Sequence, residues 1–281
     1  LKFYRKRLFR LLITFEIWMI LYEIFVRGYL RVRVGLLQIA MELLFITKAP
    51  SYSNPLSNEM IQIWFIPVIL GIYLFMPLLV ALSKNIPQRF KTWFILFGVG
   101  FDFIIPTLNM LLQFFGRNIG ISSNIDHGFV GTAFGVYVLI GGLIQEGWLT
   151  KVSNGILWCS MIIGIGLSVL MQFMGNVLME HYYFIWYDNL FILITTVALF
   201  ELVNRIMMNA SKAAMLFSGY SLGIYLIHRP IQLVIQKYLL LTNSNVLNFF
   251  INLFTTYFLS LLIVYLLSKI KFFRAYLFYE K

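Results

Sequence analysis

Charge is scarce in this chain: Asp, Glu, Lys and Arg together make up 12% of its 281 residues, about half the share of an ordinary soluble domain. Cysteine is almost absent, and a lone Cys159 excludes an internal disulfide framework. Three scattered histidines beside that one thiol show no metal-ligand spacing, so no metal is expected. The longest outer segment, Arg27–Met60, includes Pro50–Pro55 with its Ser, Asn and Pro; the rest are tight connections, so there is no linker, no separate soluble domain and no internal repeat of the kind that marks many secondary transporters. A cleavable signal peptide is not read either, because Leu8–Val26 carries Glu16 and Glu23 and no small-residue cleavage site follows. The first residue is Leu1 rather than Met, with a span following almost at once, so an N-terminal piece is expected to be missing. Hydrophobic side chains, by contrast, reach 60%, and Phe alone contributes 28 residues. A water-soluble globule of this length could not bury that much apolar surface. Soluble enzymes, disordered tails and fibrous repeats are excluded together, and the bilayer is the solvent.

Runs long enough to cross a bilayer, about 20 mostly apolar residues each, lie near Leu8–Val26, Ile61–Leu82, Thr92–Phe115, Gly128–Ile144, Gly155–Met174, Tyr182–Val203, Met215–Gln236 and Val246–Ser268. The fold class expected is therefore all-α, a polytopic transmembrane bundle of about eight spans in a single domain over residues 1–281. Leu36–Ile46 is apolar but too short to cross and reads as an interfacial or re-entrant helix. The net charge of +11 sits in short clusters between the runs. With the N-terminus inside, most Lys and Arg fall on the cytoplasmic side, including Arg5–Arg10, Lys84–Lys91 and Lys269–Lys281, so both termini are expected there. The positive charge thus records topology, and no nucleic-acid partner is implied. Gly131 and Gly135 form a small-xxx-small pair, continued by Gly142, that reads as a helix-packing face.

Polar residues inside spans are expensive and raise functional questions. In the seventh span Ser218, Ser221, Tyr225, His228, Gln232 and Gln236 recur at helical spacing, so they share one face and should meet a cavity or other protein. Pro230 cannot donate to the carbonyl of Leu226 and should kink that helix beside His228. Tyr187 and Asp188, entering the sixth span, reach a depth comparable with His228 and Arg229; a contact between them is read either as a structural hydrogen bond or as part of the chemistry. Asp102 and Glu16 near mid-span are read as partners for an Arg or Tyr, with a proton relay as the alternative. His127 and His181 fall in outer connections. At the inner edge Arg7 and Arg10 project from adjacent turns and could grip phosphate bidentately, or simply anchor the span. Trp64, Trp93, Trp148 and Trp186 fall near span ends as interfacial belt residues.

Several of these features occur in one family order. Phe3–Leu12, with Arg7 and Arg10 as its R-x-x-R, resembles the segment opening the third helix of the integral-membrane acyltransferase type 3 family. Ile63-Trp64-Phe65-Ile66-Pro67, followed by Tyr73-Leu74 and Pro77, is similar to a further helix of that family, and Trp186–Phe191 to a later signature. Ser221-Leu222-Gly223-Ile224-Tyr225-Leu226-Ile227-His228-Arg229-Pro230 is similar to its Ser-Tyr-Gly-hydrophobe-Tyr-Leu-hydrophobe-His-x-Pro stretch.

The resemblance implies ten helices in the whole family member and transfer of acyl groups, commonly acetyl from acetyl-CoA, to hydroxyls of cell-envelope or exported carbohydrates. The family's catalytic His lies in its first helix, after an Arg or Lys, which places it upstream of Leu1. The chain therefore reads as lacking the first two helices, and the codons preceding Leu1 are expected to encode them. No catalytic base is assigned in this sequence, and His228 is not promoted to that role. Arg7 and Arg10 would hold the phosphates of acetyl-CoA, a co-substrate and not a bound cofactor. Trp64, Tyr187, Asp188, Ser221, Tyr225 and His228 would line the route of a carbohydrate or lipid-linked glycan acceptor at the plasma membrane. The alternatives are a polysaccharide exporter of the same family and an inactive remnant. Oligomeric state is not readable.

Overall fold

The computed structural model describes residues 3–31, 35, 37, 40–41, 60–117, 121, 133–178, 185–206, 212–239 and 244–278. Among these the chain is helical throughout, with no strand. The described residues form nine α-helices: α1 (Phe9–Gly28), α2 (Phe65–Asn85), α3 (Gln88–Val99), α4 (Ile105–Phe114), α5 (Ala133–Gln145), α6 (Asn154–Leu178), α7 (Leu190–Ile206), α8 (Lys212–Tyr238) and α9 (Asn245–Leu267). Among the described residues each of the eight apolar runs read from the sequence contains helix, the third being shared by α3 and α4; the run Tyr182–Val203 becomes helical only from Leu190. Among the described residues three stretches are long and apolar enough to cross a membrane: Gln88–Phe114, α6 and α9. The apolar parts of α2 and α5 are shorter, at Phe65–Ala81 and Ala133–Gln145. Leu1, ahead of which the two further helices are expected, lies outside the described residues. So do most of Leu36–Ile46, Gly131, His127 and His181.

The outer faces of these helices are as greasy as the inner ones. On α6, Ile162, Ile163, Val169 and Phe173 are exposed, and on α9 Phe249, Phe254, Phe258 and Leu262 are exposed. A helix apolar all round belongs in a bundle solvated by lipid.

The chain divides into two compact units, one comprising residues 1–80 and 211–281, the other 81–210. In the first, α1 buries Leu11, Phe15, Trp18, Met19, Tyr22 and Val26, a helical-period face, together with Ile66, Leu226, Val264 and Phe278. Where α8 meets α9, a Cβ on Gly223 would lie 2.8 Å from both Val264 and Phe278, so only glycine permits this approach.

In the second unit α6 and α7 form an antiparallel pair. Arg205 meets Asn154, Thr195 meets Gly164, and Asn189 meets Met171. A Cβ on Gly164 would lie 2.3 Å from Thr195 Oγ1 and 2.9 Å from the Phe191 carbonyl. The small-residue contact thus falls on α6. Gly135 is buried on α5, but Gly142 is exposed with nothing within 4 Å of its Cβ position, so the packing face expected from Gly131 and Gly135 does not extend to it. Between α3 and α4 the chain widens into a π turn, Gly100–Ile104, which carries Asp102. Pro106 has no N–H for the Asp102 carbonyl, and the N–H of Ile105 instead reaches Gly100.

Candidate functional site

The chain enters α1 through a wide π turn, Tyr4–Leu8. Arg5, Lys6 and Arg7 are exposed on it, and Arg10 follows in the first turn of α1. Arg7 and Arg10 line one open hollow of about 590 Å³ with Arg5, Lys6, Phe9, Ile13 and Tyr276. None of the lining residues is acidic. Four cationic groups over apolar and aromatic walls concentrate positive potential, and the planar guanidinium fork matches phosphate oxygens in pairs. Arg10 Nε donates to the carbonyl of Ala275 at 2.8 Å.

About 18 Å further along α1 at 1.5 Å per residue, Tyr22 is buried in a polar cluster built around the proline of α8. Pro230 leaves the Leu226 carbonyl without its helical donor. The hydroxyl of Tyr22 fills the gap and donates to Leu226 O. One residue earlier in α8, Tyr225 donates its hydroxyl to the backbone carbonyl of Gln62, while Phe65 packs edge-on against the Tyr225 ring and Trp64 edge-on against Phe65. His228 Nδ1 lies 2.6 Å from the carbonyl of Tyr225. A carbonyl only accepts, so Nδ1 carries the proton, and in the neutral ring Nε2 is the acceptor.

Trp64, Tyr225 and His228 therefore come together, but the stripe of α8 is not uniform. Ser221 is exposed and donates its hydroxyl to the Ser218 carbonyl one turn back. Gln232 is tied to Arg229, whose Nη1 donates to it at 2.9 Å.

Tyr187 and Asp188 belong to the second unit. They sit in the turn just ahead of α7, whose entry is capped twice. Asn189 Oδ1 accepts from the N–H of Phe191 at 2.9 Å, and Thr107 Oγ1 accepts from the N–H of Leu190 at 2.9 Å. This fixes the preceding residues. The Tyr187 ring lies tilted against Phe134, with centroids 4.2 Å apart, and its carbonyl accepts from Tyr137. Asp188 and Trp186 line a smaller pocket of about 170 Å³ with Asn109, Gln113, Thr107 and Asn189. An exposed indole beside amide and carboxylate groups offers one apolar face and several hydrogen-bonding edges. Asp188 and His228 thus fall in different units, each with its own polar surroundings.

The catalytic His expected upstream of Leu1 lies outside the described residues, which begin at Phe3. Sequence reasoning missed Tyr22, Gln62, Thr107 and the pairing of Arg205. Arg205 counts among the Lys and Arg that the charge distribution places on the cytoplasmic side. Its Nε binds buried Glu201 at 2.6 Å, and its two Nη groups hold Val152 O, Asn154 Oδ1 and Leu149 O at 2.6–2.8 Å. The Glu201–Arg205 spacing of four residues was the one available signal. Asn189 directly before an apolar run was a readable cap. Nothing in the sequence marked Tyr22.

A helical membrane bundle with a cationic mouth at the head of α1 and polar residues held inside its helix packing defines the class. The chain matches the acyltransferase-domain family over residues 1–269 and belongs to the acyltransferase type 3 family. No curated protein and no solved structure matches it.

Proposed function

We propose that this protein is a membrane O-acyltransferase that moves an acyl group, acetyl in the first instance, from acyl-CoA to a hydroxyl of a cell-surface or exported glycan at the plasma membrane. The observation that carries the reading is the hollow at the head of α1, where Arg7 and Arg10 stand with Arg5 and Lys6 and no acidic residue. Such a mouth suits a donor bearing several phosphates. Cytoplasmic acyl-CoA would enter there. The α8 cluster of Trp64, Tyr225 and His228, with the exposed Ser221 on the same helix, would serve the glycan, whose hydroxyls need both donors and acceptors; in the second unit the pocket lined by Asp188, with Tyr187 next to it in sequence, offers groups of the same kind. The proton leaving the sugar hydroxyl needs a general base. The family resemblance assigns that base to a helix upstream of Leu1, and His228 is not given the role.

The test is Arg7→Ala with Arg10→Ala in the protein expressed from its native locus. Binding of acetyl-CoA and transfer of labelled acetyl to envelope glycan are expected to fall together. Unchanged binding and turnover would overturn the donor site, and glycan movement without acetyl transfer would replace the enzyme by an exporter.

A further inference from the structure

The family match ends at residue 269, yet the cationic hollow draws on chain beyond it. The last described turn, Phe273–Leu277, is a π turn closed by the Phe278 N–H bonding to the Phe273 carbonyl. A helical segment leaves its final carbonyls without intrahelical donors and carries partial negative charge at that end. Two of those carbonyls are taken by side chains of α1: Arg10 Nε donates to Ala275 O at 2.8 Å, and Trp18 Nε1 donates to Leu277 O at 2.6 Å. Phe278, 1% exposed, drops into the core against Trp18, with ring centroids 6.4 Å apart, and against Gly223 and Val264. Tyr276, between these anchors, lines the hollow.

A guanidinium is planar and rigid, so holding Nε fixes the plane of the whole fork. We propose that the C-terminal turn 273–278 is a positioning element of the donor site: the Ala275 carbonyl sets the plane of Arg10, and Trp18 and Phe278 latch the turn so that it can do so. This rests on the reading of the hollow as the site for acyl-CoA phosphates. Trp18 and Phe278 do not line the hollow and act through the Ala275–Arg10 bond, so unlatching the turn should weaken donor binding without touching the chemical step.

The experiment uses Trp18→Phe, which keeps an aromatic ring but removes the N–H, and Phe278→Leu, which keeps apolar bulk. Each is expected to raise the KM for acetyl-CoA about fivefold, the size of one lost hydrogen bond's contribution, with kcat unchanged, as for loss of uniform binding. Competition by 3′,5′-ADP should weaken equally. In an Arg10→Lys background, where no planar fork remains to orient, neither substitution should raise KM further. Wild-type KM in both variants, or the same rise in the Arg10→Lys background, would overturn the proposal. So would a fall in kcat and thermal midpoint with KM unchanged. Should Phe278→Leu not fold, Trp18→Phe decides. If Arg7→Ala with Arg10→Ala itself leaves acetyl-CoA binding intact, the donor-site reading fails first; if that pair abolishes binding while the latch variants bind normally, only the latch fails.

Discussion

Backbone carbonyls are the partners of several polar side chains in this protein. Tyr22 illustrates the logic: a buried hydroxyl of α1 repairs the carbonyl that Pro230 leaves open in α8. Tyr22→Phe removes the donor and strands the Leu226 carbonyl, so it should destabilise the protein by about 1–3 kcal/mol, read as a lower thermal midpoint in detergent. Restoring a helical donor with Pro230→Ala should recover part of that loss. Arg205 makes the same point with charge. Glu201 is 2% exposed and depends on Arg205 for its partner. Arg205→Ala leaves a buried carboxylate and three neighbouring acceptors without that guanidinium, and should cost about 3–5 kcal/mol. Adding Glu201→Gln should return a large part of it.

At the scale of helices, close approach and capping decide the geometry. The α6–α7 pair meets at Gly164, where any side chain collides with Thr195 and with backbone. Gly164→Ala is therefore expected to destabilise by about 1–3 kcal/mol through overpacking, whereas Gly142→Ala, on an open face of α5, should be silent in the same assay. Capping positions the residues ahead of α7. Asn189→Ala removes the bond to Phe191 N–H and should cost about 1 kcal/mol; acetyl transfer would report whether Asp188 beside it is displaced. The sequence pattern located these helices well, because apolar runs in a bilayer must be helical to satisfy their own backbone. It erred at Gly142, since a small-xxx-small spacing shows where close approach is permitted and not whether a partner helix arrives.

The whole molecule is built to be solvated by lipid, and its one cysteine reports on this. Cys159 is exposed on α6 among Ile156, Ile162 and Ile163, themselves about 60% exposed. In intact membranes a polar, impermeant maleimide should fail to label Cys159, and labelling should appear once the protein is unfolded in detergent. Rapid labelling in the native membrane would mean that this face of α6 borders water. The charge distribution makes a matching forecast: reporter fusions at both termini should read as cytoplasmic.

Composition and periodicity alone were enough for the solvent, the helical class and the position of each apolar run, because hydropathy acts locally and every crossing must solve the same backbone problem. The order of short motifs was enough for the family. The tertiary structure decided which groups meet. Arg10 finds Ala275, Tyr22 finds Leu226 and Tyr225 finds Gln62 across 265, 204 and 163 residues of sequence, and in each case the acceptor is a main-chain carbonyl. Every residue carries such a carbonyl, and although Pro230 marks the Leu226 carbonyl as open from the sequence alone, only the fold shows which distant side chain arrives to use each acceptor.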